Sequence, residues 1–168
     1  MSSLRDRSDG VTTPAHCEAL PMVGDAIERR AELAIRNRLE ELGPASIWLQ
    51  GFADGLGLPD EMCYRLDTGL NEAVTNVISY GYPDGAEHLI QIRLWAHGDT
   101  VSLEVEDDGL PFDPLRAEPR PAPHTLEEAP IGGLGIQLIR SMLDECHYRR
   151  EAGRNHLTMI ARPRGRTA

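Results

Sequence analysis

The sequence predicts an α+β fold, a two-layer α/β sandwich in which one mixed, mainly antiparallel sheet carries helices on one face. Three observations lead there. Two pairs of short segments alternate apolar and polar residues with period two: Ile90, Ile92 and Leu94 with Val101, Leu103 and Val105, then residues 147–152 with 156–162. Each pair is joined by a tight, glycine-containing turn, at His97-Gly98-Asp99 and Gly153-Arg154-Asn155. Segments with helical spacing precede the first pair and stand between the pairs, an order of elements that belongs to α+β architecture rather than to a repeated βαβ winding.

Taken in chain order, residues 1–25 form a polar leader, residues 26–163 the folded domain and residues 164–168 a short tail. The start of the chain, MSSLRDRSDG, lacks the apolar stretch of a secretory signal. Residues 31–37 read as a strand with Leu33 and Ile35 inward. Residues 38–57 read as a helix interrupted near Gly43-Pro44, with Ile47, Trp48, Phe52 and Leu56 on its apolar side. Pro59-Asp60-Glu61 opens a second helix, in which Leu66, Leu70, Ala73, Val74, Val77 and Ile78 recur at helical spacing before Gly81. Residues 109–131 hold six prolines and little periodicity, the pattern of a long loop. Gly132-Gly133-Leu134-Gly135 then leads into a third helix.

Composition removes several functions. The formal net charge of −10 over 168 residues argues against a general nucleic-acid surface. All 17 basic residues are arginine, so the lysines of a Walker A loop, of a Schiff-base enzyme and of a eukaryotic-type protein kinase are all missing. Three scattered cysteines and six histidines show neither paired nor zinc-ligand spacing, as suits reduced thiols in a cytoplasmic protein. No segment has the length of a membrane span.

Three places carry possible chemistry. Glu72 and Asn76 stand one helical turn apart, so a carboxylate and a carboxamide share a face, either as a solvated polar pair or as a hydroxyl-polarising and cation-holding pair. The inward alternation of Val101, Leu103 and Val105 continues to Asp107, where a buried carboxylate needs a partner such as an exocyclic amine; an ordinary Asp-Asp-Gly turn is the alternative. Gly109 beside it lets a ligand approach the backbone. The glycines at 132, 133 and 135 open a helix, which is either a phosphate seat or a simple cap.

In this order the signals resemble the GHKL (Bergerat-fold) ATPase superfamily, which includes gyrase, Hsp90, histidine kinases and MutL. Within it the chain resembles the bacterial anti-sigma-factor serine/threonine kinases. The matching phrases are LDTGLNEAVTNVISYGYPDG from Leu66, VEDDGLPFDP from Val105, GGLGIQLIRSMLDE from Gly132 and GRNHLTMIAR from Gly153. The resemblance implies ATP and Mg²⁺ as cofactors, with Glu72 as general base and Asn76 as the Mg²⁺ ligand. It also implies Asp107 on the adenine amine, Gly109 beneath the base, Gly133 and Gly135 at the phosphates, and Thr158 near adenine, with residues 113–131 as the ATP lid. It further implies a homodimer that phosphorylates a serine on a STAS-domain antagonist and sequesters a sigma factor, without membrane or direct nucleic-acid contact. A non-catalytic, ATP-gated binding switch of the same fold is the alternative. The chain departs from the family pattern at Tyr80, where many members have His, and at Ile131, where an Arg precedes the glycines.

Overall fold

The computed structural model describes residues 17–19, 28–116 and 135–164. Gly133 and the lid beyond Arg116 lie outside them. Six strands form one sheet: β1 (Cys17–Ala19), β2 (Glu28–Arg36), β3 (Leu89–His97), β4 (Thr100–Asp107), β5 (Glu145–Glu151) and β6 (Arg154–Ala161). Their order is β1-β2-β3-β4-β6-β5, and all five pairings are antiparallel, so no parallel pair occurs among the described residues. The three residues of β1 fall inside the segment read as a leader, yet they pair with Arg29, Arg30 and Ala31 of β2.

Register sorts the side chains onto two faces, because residues directly opposite in an antiparallel ladder project the same way. Leu94, Leu103 and Met159 stand in one row, and Ile92, Val105 and Leu157 in the next. These residues form the buried core with the helices α1 (Leu42–Leu56), α2 (Asp60–Tyr80) and α3 (Gly135–Met142). The β5–β6 turn is Ala152-Gly153, both at positive φ (49° and 83°), two residues long as in the tightest hairpins. The turn therefore ends earlier than 153–155, and Asn155 becomes a strand residue.

α1 begins at Leu42 after a 3₁₀ turn at Leu39–Glu41, and Pro44 falls in its first turn, where backbone N–H groups have no intrahelical partner. Its buried face is Ala45, Leu49, Phe52 and Ala53. Ile47, expected inward, is 75% exposed. The spacing 45, 49, 52 sets the helix phase, and Ile47 is rotated about 200° from Ala45.

α2 carries a residue that the apolar pattern hides. Arg65 is 2% exposed, next to Leu66 on the core side of the helix. Its guanidinium donates to the Met142 carbonyl at the end of α3, to the Arg162 carbonyl just past β6 (2.9 Å), and to Asp144 Oδ2 between α3 and β5 (2.6 Å). Asp144 Oδ2 also accepts from the Arg162 N–H at 2.7 Å. Burial alone would raise the Asp144 carboxyl, but these hydrogen bonds outweigh it and hold the group below its ordinary value. A cation buried with three acceptors and a counter-ion is the form in which buried charge is tolerated.

Arg65→Met should destabilise the fold by roughly 2–3 kcal/mol in urea titrations, because it removes the charged donor shared by two partly buried carbonyl bonds and the Asp144 carboxylate. A carboxyl whose folded pKa is depressed contributes stability above its unfolded value, 3.8, that is lost as pH falls through the folded value. The variant should therefore lose less stability than wild type on acidification through that range.

Candidate functional site

The C-terminal end of α2 and the facing strands β4, β5 and β6 line a cleft that is partly open to solvent. Its apolar walls include Ala73, Val77, Val105 and Leu157, and its mouth holds Tyr80 and the exposed Leu110 and Phe112. Its polar groups are few: Asn76, Asp107, Tyr148 and Asn155.

Asp107 sits at the end of β4, 4% exposed. Its Oδ1 accepts from the Gly109 N–H (2.9 Å) and from Asn155 Nδ2 (2.8 Å). Burial pushes this carboxyl above the usual carboxylate value, against the pull of those two hydrogen bonds. A buried carboxylate with one oxygen saturated keeps the other as an acceptor for a ligand N–H. Asn76 is 6% exposed, and its amide nitrogen has no hydrogen-bond partner among the described residues. It is thus a pocket residue rather than part of a solvated face, and its unpartnered amide fits a site completed by a bound group.

The structure brings Asn76 and Asp107 together and treats the other expected residues differently. Glu72, one turn before Asn76 on α2, is half-buried and outside the cleft lining. Gly135 is the first residue of α3. Gly109 does not line the cleft; a Cβ there would stand 2.7 Å from the Gly81 carbonyl oxygen and 3.0 Å from the Gly81 Cα. The Leu110 N–H donates to the same carbonyl at 2.9 Å. The missing side chain lets the loop after β4 close against the end of α2.

Thr158 is a second correction. It pairs with Glu104, whose side chain is on the sheet face away from the helices, and its hydroxyl donates to Glu104 Oε2 at 3.2 Å. The polar residue beside Asp107 is its register partner Asn155, which the period-two alternation with Leu157, Met159 and Ala161 already places inward. On the outer face Glu104, Glu106 and His156 bring ligating atoms within 4.8 Å of one another, but Arg93, Arg149 and Arg154 already neutralise the two carboxylates.

Comparison with known proteins agrees with this geometry. The profile of the histidine kinase-like ATPase domain matches residues 35–161. A serine/threonine-protein kinase, BtrW, from Bordetella bronchiseptica is 30% identical over 117 residues, covering 70% of this chain and 82% of the relative. The serine-protein kinases RsbW of Bacillus pumilus and Bacillus subtilis are 27% and 25% identical, each covering 73% of this chain and 79% of the relative. The solved structure of the RsbU and RsbW domains of Rv1364c from Mycobacterium tuberculosis superposes with a TM-score of 0.57 at 14% identity, over 79% of this chain and 31% of that one, which speaks to fold alone.

Gly109→Ala should cost about 1–3 kcal/mol of stability in chemical denaturation, since backbone rather than a flexible side chain blocks the new Cβ. Gly51→Ala, inside α1 with nothing within 4 Å of its Cβ position, should instead stabilise by up to about 1 kcal/mol. Equal effects at the two glycines would contradict the packing argument.

Proposed function

The chain belongs to the histidine kinase-like ATPase domain family, and we propose that within it the protein is a cytosolic serine-protein kinase and anti-sigma factor that uses ATP and Mg²⁺. Its substrate is a serine on a STAS-domain antagonist, and the same chain, as a homodimer, sequesters a sigma factor. The observation that carries the reading is the juxtaposition, in one cleft, of a buried acceptor, Asp107, with a buried amide nitrogen that has no hydrogen-bond partner among the described residues, Asn76. The kinase names of the relatives support it.

Each residue has a part that follows from its place. Asp107 accepts from the exocyclic amine of adenine through its free oxygen. Val77, Val105 and Leu157 give the base an apolar bed. α2 leads away from the base toward its own middle; on it the Asn76 amide oxygen would hold Mg²⁺, its unpartnered NH₂ would donate to a phosphate oxygen, and Glu72, a turn further on, would take the proton of the attacking serine hydroxyl. The metal ion, when bound, neutralises charge on the phosphate oxygens. Gly135, the first residue of α3, and Gly133, two positions earlier in the sequence, would offer backbone N–H groups to the phosphates.

Two substitutions separate binding from transfer. Asp107→Asn replaces an acceptor with a donor and should weaken ATP about 10- to 150-fold in calorimetry, the worth of a charge-assisted hydrogen bond. Glu72→Gln should keep ATP affinity while phosphate transfer to the antagonist falls about 10²–10⁴-fold, followed with labelled ATP. A wild-type protein that binds ATP but transfers no phosphate, with Glu72→Gln behaving identically, would leave the ATP-gated binding switch as the function.

A further inference from the structure

Asn155 sits opposite Asp107 in the β4–β6 register and is 6% exposed. Its amide is fully committed. Nδ2 donates to Asp107 Oδ1 at 2.8 Å and to the Leu110 carbonyl at 3.0 Å. Oδ1 accepts from the Tyr148 hydroxyl at 2.8 Å and from Arg150 Nη1 at 2.7 Å. A carboxamide has two N–H donors and two oxygen lone pairs, so nothing is left over. Rotating it by half a turn would set its oxygen against Asp107 Oδ1 and the Leu110 carbonyl, and its NH₂ against a guanidinium. The orientation is therefore imposed from β5, by two residues whose register partners, Leu157 and Asn155, are on the cleft side of the sheet.

We propose that Tyr148 and Arg150 are positioning residues that set base selectivity, by locking the Asn155 amide so that Asp107 presents only an acceptor to the ligand. The inference rests on the nucleotide reading of the cleft. With the amide locked, Asp107 Oδ1 is saturated by Asn155 and by the Gly109 N–H, and the remaining oxygen accepts only. A purine must then offer a hydrogen at its 6-position, as the amine of adenine does. A 6-oxo purine presents an oxygen to an oxygen and is rejected, because the buried acceptor stays unpaired.

Arg150 does this by charge as well as geometry. Its Nη1 also donates to the Gly109 carbonyl at 3.2 Å, which ties β5 to the turn that carries Asp107. Burial pushes the Asp107 carboxyl up and the neighbouring Asp108 pushes the same way, whereas Asn155, the Gly109 N–H and the Arg150 charge oppose the rise. Tyr82, buried near both aspartates, has its hydroxyl pushed far up and stays neutral. Arg150 is thus the cation that favours the ionised acceptor. If it is removed, the carboxyl protonates at higher pH, and a protonated Asp107 donates where the 6-oxo group accepts.

The test is calorimetry with ATP and ITP, which differ at the 6-position of the base, on wild type, Tyr148→Phe and Arg150→Met. Thermal melts confirm folding, and Tyr148→Phe removes only a hydroxyl. The ATP-to-ITP affinity ratio should fall by about tenfold in each variant, the scale of one hydrogen bond. In Arg150→Met the pH at which ATP binding is half lost on acidification should also move upward, and Arg150→Lys should return it toward wild type. A ratio that stays at the wild-type value while both affinities fall together would overturn the proposal and leave a structural role. A wild type that binds ATP and ITP equally would instead overturn the adenine reading of Asp107, and this inference with it.

Discussion

The buried guanidinium of Arg65 holds together three stretches of chain that are far apart in sequence. From within α2 it gathers the end of α3 at Met142, Asp144 just before β5 and Arg162 just after β6. The carbonyl it takes at Met142 lies at the negative end of α3, where a cation also complements the helix dipole. Eleven residues separate Arg65 from Asn76, close to three whole turns, so both project from the same side of α2, about 16 Å apart. One helix thus carries the structural anchor at its start and the pocket amide near its end. The placement of α3, whose first residue is Gly135, is referred to the pocket through a single helix.

A second set of ion pairs makes β4 unusual. Every residue of β4 after Thr100 is buried, on both faces of the sheet. On the helix side that burial is apolar until Asp107. On the other side it is electrostatic: Glu106 is held below its ordinary value because Arg93 outweighs the cost of burial, with Arg154 on its second oxygen. Arg93 also reaches Glu104, as does Arg149. Long arginine stems over a sheet exclude water much as a helix layer does. β4 is the strand that ends in Asp107, so the residue that faces the ligand stands on an element restrained on both sides.

Much of this was legible in the sequence where periodicity is strong. The β3–β4 hairpin, the α2 stripe and the inward place of Asp107 follow from period two and period 3.6 alone. The errors arose where chemistry rather than period decided. Ile47 has the apolar side chain of an inward residue, yet the phase set by Ala45, Leu49 and Phe52 turns it to solvent. Thr158 came from family resemblance, and strict alternation from Leu157 would have replaced it with Asn155. Arg65 was invisible because a charge beside an apolar stripe normally snorkels to water, and its three acceptors come from residues 77 to 97 positions away. At Gly109 the backbone of Gly81 is what leaves no room for a side chain, a long-range contact that local spacing does not show.

The cleft is therefore finished at one end and open at the other. Every donor and acceptor of the Asn155 amide has a partner within the protein, and under the proposed function the second oxygen of Asp107 would define what the base must offer. Such a preorganised end costs little reorganisation on binding and contributes the same to ground state and transition state. Asn76, by contrast, keeps an unpartnered amide, and Glu72 stands a turn beyond it outside the cleft lining. Groups left unsatisfied before the ligand arrives are the ones whose interactions can strengthen as phosphate charge moves. Under the proposed function, β4, β5 and β6 would govern which nucleotide is held and how tightly, whereas α2 would govern what happens to its phosphate. Binding and transfer are then separable properties of one small domain, and a chain of this kind can lose catalysis at its α2 residues while remaining a selective nucleotide sensor.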